Sequence, residues 1–187
     1  GVELRIGMFG EEEYQMLYDA GCRWIFFGIE TGSKEMQKIV HKNIDYSKIA
    51  PTFEILNRIG ITTIGSFIIG FPDETVEQLR DTVKLLNTVK ANLTPVFHFT
   101  PIPGTELYDQ VVANGTYKAP KTLKAMSKVV ATESLGVNLS AVSRCFVGYI
   151  CVISNGLSQR RREDGNKGQE DHKGYDHTGK IAYGQVK

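Results

Sequence analysis

Three apolar runs end in the same way, and that recurrence constrains the fold more than any other feature. "RWIFFGI" runs into Glu30-Thr31-Gly32-Ser33, "ITTIGSFII" into Gly70-Phe71-Pro72-Asp73-Glu74-Thr75, and the stretch from about Leu93 to Phe99 into Thr100-Pro101-Ile102-Pro103-Gly104-Thr105. Each run is rich in aromatic and β-branched residues, as a buried strand requires. Each stop combines a glycine, which permits close backbone approach, with hydroxyls, prolines or acids.

Amphipathic stretches separate the runs. Glu11 to Ala20 opens on three acids, which suit the positive end of a helix dipole, and closes at Gly21. Ser33 is a capping residue for the next helix. Ile49, Phe53, Leu56 and Ile59 fall at helical spacing before Gly60, and Val76, Leu79, Val83 and Leu86 form another stripe. Asp73 or Thr75 starts that last helix, with Thr75 and Gln78 at capping-box spacing. With "VELRI" as a first strand, strands recur every roughly 30 to 40 residues with helices between, the rhythm of parallel βα units. In such sheets the carboxyl ends of the strands form the ligand-binding edge. Neutral donors and acceptors beside apolar side chains there suit a ribose and a flat base. Neither GxxxxGK[ST] nor GxGxxG occurs.

The bulk composition narrows the field. The chain has 187 residues, enough for a single core, and a net charge of +1, which gives no electrostatic case for nucleic acid or an anionic membrane. Its longest late apolar stretch, 145–153, is far below the ~20 residues of a spanning helix. Cys22, Cys145 and Cys151 are odd in number and widely spaced, so no disulfide framework is expected and a cytoplasmic location follows. The chain begins as though already inside a strand, as a sequence with more upstream would. After Met126 the βα rhythm stops. We expect residues 1–126 to form the folded unit and 127–187 a poorly defined, non-homologous extension, disordered from about 155.

"FFGIETGSKEMQKIVHK", "GSFIIGFPDET" and "TPIPGTELYD", in this order and spacing, resemble the second half of a radical S-adenosylmethionine domain, of the group that often carries a cobalamin-binding domain. The resemblance covers about residues 2–126. It implies an α/β fold, a partial (β/α)6 TIM-like barrel to which this chain supplies the third to sixth strands. It also implies S-adenosylmethionine and a [4Fe-4S] cluster as cofactors, with cobalamin a further leaning. The implied activity is cleavage of the cofactor to a 5′-deoxyadenosyl radical that abstracts hydrogen from a substrate.

Carried over by motif, Glu30 approaches the cofactor ribose and Lys42 the methionine carboxylate. Ser66 and Ile68, two apart and so on one strand face, lie beside ribose and adenine, and Thr100 near the adenine. The cluster ligands of the family, CxxxCxxC, do not occur in this sequence, and the chain alone is expected to be inactive. Cys22 reads as a packing residue. Two other readings stay open: a catalytically silent nucleoside-binding module, and a small flavodoxin-like nucleotide-binding domain. Weaker candidates read as structural or solvated. They are His98, on a strand, the Asp171/His172/Asp176/His177 group, and Arg160 to Arg162, which run directly into Glu163 and Asp164.

Overall fold

The computed structural model describes residues 1–126 and 138–142. The extension from 127 to 137 and from 143 onward, including Cys145, Cys151, the arginine run and the 171–177 group, lies outside the described residues. Four strands, β1 (Val2–Leu4), β2 (Trp24–Glu30), β3 (Thr62–Ile69) and β4 (Val96–His98), form one parallel sheet in the order β1-β2-β3-β4. Six α-helices connect and follow them: α1 (Glu11–Asp19), α2 (Lys34–Ile39), α3 (Ile49–Ile59), α4 (Val76–Thr88), α5 (Glu106–Ala113) and α6 (Leu123–Met126). A 3-10 turn, Tyr46–Lys48, leads into α3.

This order excludes the flavodoxin-like alternative. A doubly wound sheet reverses direction from its first strand and carries helices on both faces. Here each strand is added beside its predecessor, as in a barrel wall. Sidedness agrees. Ile25, Phe27 and Ile29 of β2 and Phe67 and Ile69 of β3 are fully buried. They pack with Tyr14, Phe53, Leu56 and Leu79 of the helices into one core, where Phe27 and Phe53 meet edge to face at 5.5 Å. The alternate residues Trp24, Phe26, Ile64 and Ile68 are only partly covered, because the opposite face is the inner wall of an open barrel.

Local chemistry sets the boundaries. The Ser33 hydroxyl accepts from the Met36 amide at 3.3 Å, and Thr105 does the same for Tyr108 at 3.3 Å. For α4 the cap is Thr75, in a full capping box with Gln78: Gln78 N donates to Thr75 Oγ1 at 3.3 Å and Thr75 N to Gln78 Oε1 at 2.9 Å. Thr75→Ala is expected to cost about 1 kcal/mol, read as a lower urea midpoint at unchanged m-value.

Asp73 and Glu74 do not begin α4. Asp73 takes a left-handed φ of 58° in the turn. Glu74 is wholly buried, its Oε2 accepting from Gly70 N at 2.7 Å. Residues 138–142 lie against this turn. Leu139 N donates to Gly70 O, Asp73 N to Leu139 O, and Ala141 N to Glu74 O, at 3.1–3.2 Å. Leu139 joins Met36, Phe71 and Phe99 in a second apolar cluster above the sheet, and Val142 reaches the main core.

Candidate functional site

The last residue of β2 departs from the strand. A register shift falls between Gly28 and Glu30, and Glu30 has φ 69°, a conformation that non-glycine residues seldom adopt. Thr31 N donates back to Ile29 O at 2.9 Å, closing a tight γ-turn about Glu30. This strained turn folds the Glu30 carboxylate back over the strand, where Lys42 Nζ meets Oε1 at 2.9 Å. Both side chains are largely covered, 17% exposed for Glu30 and 31% for Lys42. Each therefore offsets the desolvation of the other. The pair sits above Gly28, where a Cβ would stand 2.7 Å from Lys42 Nζ and run into Glu30 Oε1. Only a glycine leaves that room.

Lys42 lies in a loop of unusual backbone. His41 and Asn43, on either side of it, have φ of 53° and 46°. The loop is held from several directions. Lys42 N donates to Gln37 O at 3.0 Å and Ile44 N to Gln37 Oε1 at 3.2 Å. Arg5, just past β1, donates through Nη2 to the Lys42 carbonyl and to the Asn43 carbonyl at 3.4 Å.

Glu30, Lys42, Ile68 and Thr100 line one cavity of 420 Å³ at the carboxyl end of the sheet. Phe71, Phe97 and Phe99 give it apolar walls, and its size suits a small-molecule ligand. At its rim His41 Nε2 lies 3.0 Å from Glu106 Oε2, both side chains exposed, bridging the loop after α2 to the start of α5. Thr100 Oγ1 is buried with no hydrogen-bond partner. Burial in that state leaves the hydrogen-bonding capacity of the hydroxyl unmet.

Four of the five residues expected at the site thus share one hollow. Ser66 is the exception. It is buried beside Gly28 in register, deeper on the same strand face as Ile68, and does not line the cavity. His98 borders the cavity although it pairs with Ile69, whereas Phe97 pairs with Ile68. Gln37, Arg5, the γ-turn and the His41–Glu106 contact were not singled out by the sequence. Gln37 gave no signal in the sequence, because the short helix that carries it, Lys34–Ile39, is mostly polar.

The residues described do not fit a [4Fe-4S] cluster. Among them no three His, Cys, Asp or Glu side chains gather to hold a metal. Cys22 is buried, its thiol donating to Trp24 O at 3.4 Å. For adenosylmethionine the test comes out differently: the cavity offers a carboxylate, an ammonium and aromatic walls, group types that a ribose, a carboxylate and an adenine would call for. Among the described residues no helix is long and apolar enough to cross a membrane.

The chain is similar to known proteins in sequence and in fold. Residues 2–86 match the Radical SAM superfamily. An uncharacterized methyltransferase of Pyrococcus horikoshii is 32% identical over 110 residues, 59% of this chain and 24% of that one. Among solved structures, a radical S-adenosylmethionine methyltransferase from Kitasatospora setae, with cobalamin and a [4Fe-4S] cluster bound, superposes with a TM-score of 0.54 at 21% identity, over 63% of this chain and 24% of that one. Coproporphyrinogen III oxidase of Escherichia coli, a radical SAM enzyme, gives 0.53 at 19% identity, over 67% and 29%. The chain spans less than a third of the length of each of these. At these identities the solved structures speak for the fold, and the family match speaks for descent. Residues 2–86 of this chain thus carry the match to the Radical SAM superfamily, and the sequential parallel sheet with its cavity at the strand ends is the fold it shares with those solved structures.

Proposed function

We propose that this chain is the cofactor-binding half of a radical SAM barrel and holds S-adenosylmethionine in the cavity above β2, β3 and β4. The carrying observation is the convergence of Glu30, Lys42, Ile68 and Thr100 on one hollow from four separate parts of the chain. Glu30 accepts from the ribose hydroxyls, and Lys42 pairs with the methionine carboxylate. Ile68 and the aromatic walls cover the adenine, with Thr100 Oγ1 available to its edge. On binding, the Glu30–Lys42 ion pair exchanges its internal contact for two contacts to the ligand, so neither charge is left uncompensated. Given one electron from a reductant held outside the described residues, adenosylmethionine bound there would supply a carbon-centred radical, with methionine as the leaving group. This chain's residues orient it and exclude water from it. The residues described do not offer the ligands of a [4Fe-4S] cluster. Such ligands belong to a separate segment, and this chain alone acts as a binding module. Cobalamin dependence and the hydrogen donor remain with that larger assembly.

Titration calorimetry of the full chain tests the reading. Adenosylmethionine should bind, and Lys42→Ala should weaken it about tenfold or more through loss of a charge-assisted contact. The same substitution should leave 5′-methylthioadenosine, which has no carboxylate, within about twofold. Equal losses for both ligands, or no binding to the unsubstituted chain, would refute the assignment.

A further inference from the structure

One buried side chain reaches both the Glu30 turn and the Lys42 loop. Gln37, 3% exposed, projects from α2 into the space between the β2 turn and the Lys42 loop. Its Nε2 donates to Ile29 O at 2.8 Å and to Thr31 O at 3.0 Å, the two carbonyls that flank Glu30. Its Oε1 accepts from Ile44 N at 3.2 Å and its backbone carbonyl from Lys42 N at 3.0 Å. One residue therefore fixes the chain on both sides of the strained glutamate and also within the loop that carries the lysine. Tyr46 adds a second donor, its hydroxyl reaching Thr31 O at 2.9 Å, and burial pushes the Tyr46 pKa up to about 12, so it stays a donor.

We infer that Gln37 is a positioning residue that sets the separation and aim of Glu30 and Lys42 toward the ligand. The inference rests on the proposed adenosylmethionine site. The chemistry is specific to an amide. A left-handed Glu30 is costly and persists only when its surroundings over-determine it. Two donated bonds and one accepted bond must act at once, and the carboxamide of Asn or Gln is the side-chain group that carries a two-donor nitrogen beside an acceptor oxygen. A glutamate would turn an acceptor toward two carbonyls, and a methionine of similar length would leave Ile44 N without its partner.

The test is a cycle on the full chain. Gln37→Met should weaken adenosylmethionine about tenfold in an otherwise unchanged chain. In a Glu30→Ala/Lys42→Ala background the same substitution should change affinity by less than about twofold, because the groups it positions are gone. Its effect on the thermal midpoint should be similar in both backgrounds. An equal affinity loss in both backgrounds, or none in the first, overturns the inference, since a merely structural glutamine would not distinguish them. If the unsubstituted chain binds no adenosylmethionine, the proposed function fails and the inference is decided without ligand. Nitrogen-15 NMR of the Lys42 ammonium should then show slowed hydrogen exchange from its pair with Glu30. That protection should disappear in Gln37→Met, and its survival would refute the positioning role.

Discussion

Between pH 4.5 and pH 8 the folded chain should lose roughly 3 kcal/mol of stability through Glu74 alone, and Glu74→Gln should abolish that loss. Glu74 is fully buried, and burial raises its pKa from 4.5 to about 7, against the smaller opposing pull of the Gly70 and Phe71 amides. Its Oε1 has no partner, so an ionised carboxylate would carry charge with only Oε2 compensated. The sign follows from proton counting. Below 4.5 both folded and unfolded chains hold the proton, and the contribution is complete. Between 4.5 and about 7 the unfolded chain has released the proton while the folded chain keeps it, so stability falls as pH rises. Above about 7 both are ionised and the contribution is gone. Urea unfolding of both proteins across this range isolates the effect as the difference between their profiles. Parallel profiles would mean that Glu74 ionises as freely in the fold as in the unfolded chain. Below about pH 7 Glu74 keeps its proton and adds no charge beneath Phe71.

What the sequence discloses is set by how local the controlling chemistry is. The strands around Phe27 and Phe67, the caps Ser33, Thr75 and Thr105, and the helix-ending Gly60 follow from residues within a few positions of one another, and the structure has them. Strand order and the covering of only one sheet face are long-range outcomes. They decide between barrel wall and flavodoxin-like sheet, which the pattern of elements alone leaves open. The site divides along the same line. Glu30, Lys42, Ile68 and Thr100 stand at strand or loop ends, where motif position predicts placement. Ser66 meets the alternation rule and is buried below the cavity lining, since cavity depth depends on the whole wall. Asp73 and Glu74 look like a helix start because acids favour that position. In the fold Glu74 instead satisfies an amide four residues back, a choice visible only once the turn is closed. Gln37 belongs to the same class: a buried polar residue whose partners, the Ile29 and Thr31 carbonyls and the Ile44 amide, come from outside its helix.

Gly32→Ala is expected to destabilise the chain by about 3 kcal/mol, more than any cap or surface substitution. A Cβ at Gly32 would stand 2.6 Å from the Thr82 Cα and would also press on the Asp81 carbonyl. Both are backbone atoms of α4, so no side chain can swing aside. Relief requires the whole helix to retreat. The polar contacts at this crossing depend on that closeness. Thr82 Oγ1 donates to Gln78 O at 3.1 Å and accepts from Gly32 N at 3.0 Å. Thr31 Oγ1, which accepts from Ser33 N at 3.1 Å, is left to donate to Thr82 Oγ1, also 3.1 Å away. Retreat of α4 would break the chain of bonds at a fully buried Thr31, the residue next to Glu30. Thr82→Val provides the comparison. It keeps the helix seated but leaves Gly32 N unpaired, at a cost of about 1–2 kcal/mol. The urea midpoints should therefore fall in the order wild type, Thr82→Val, Gly32→Ala. If Gly32→Ala is the milder of the two, α4 yields easily, and the crossing cannot be what holds the β2 turn in register with the cavity.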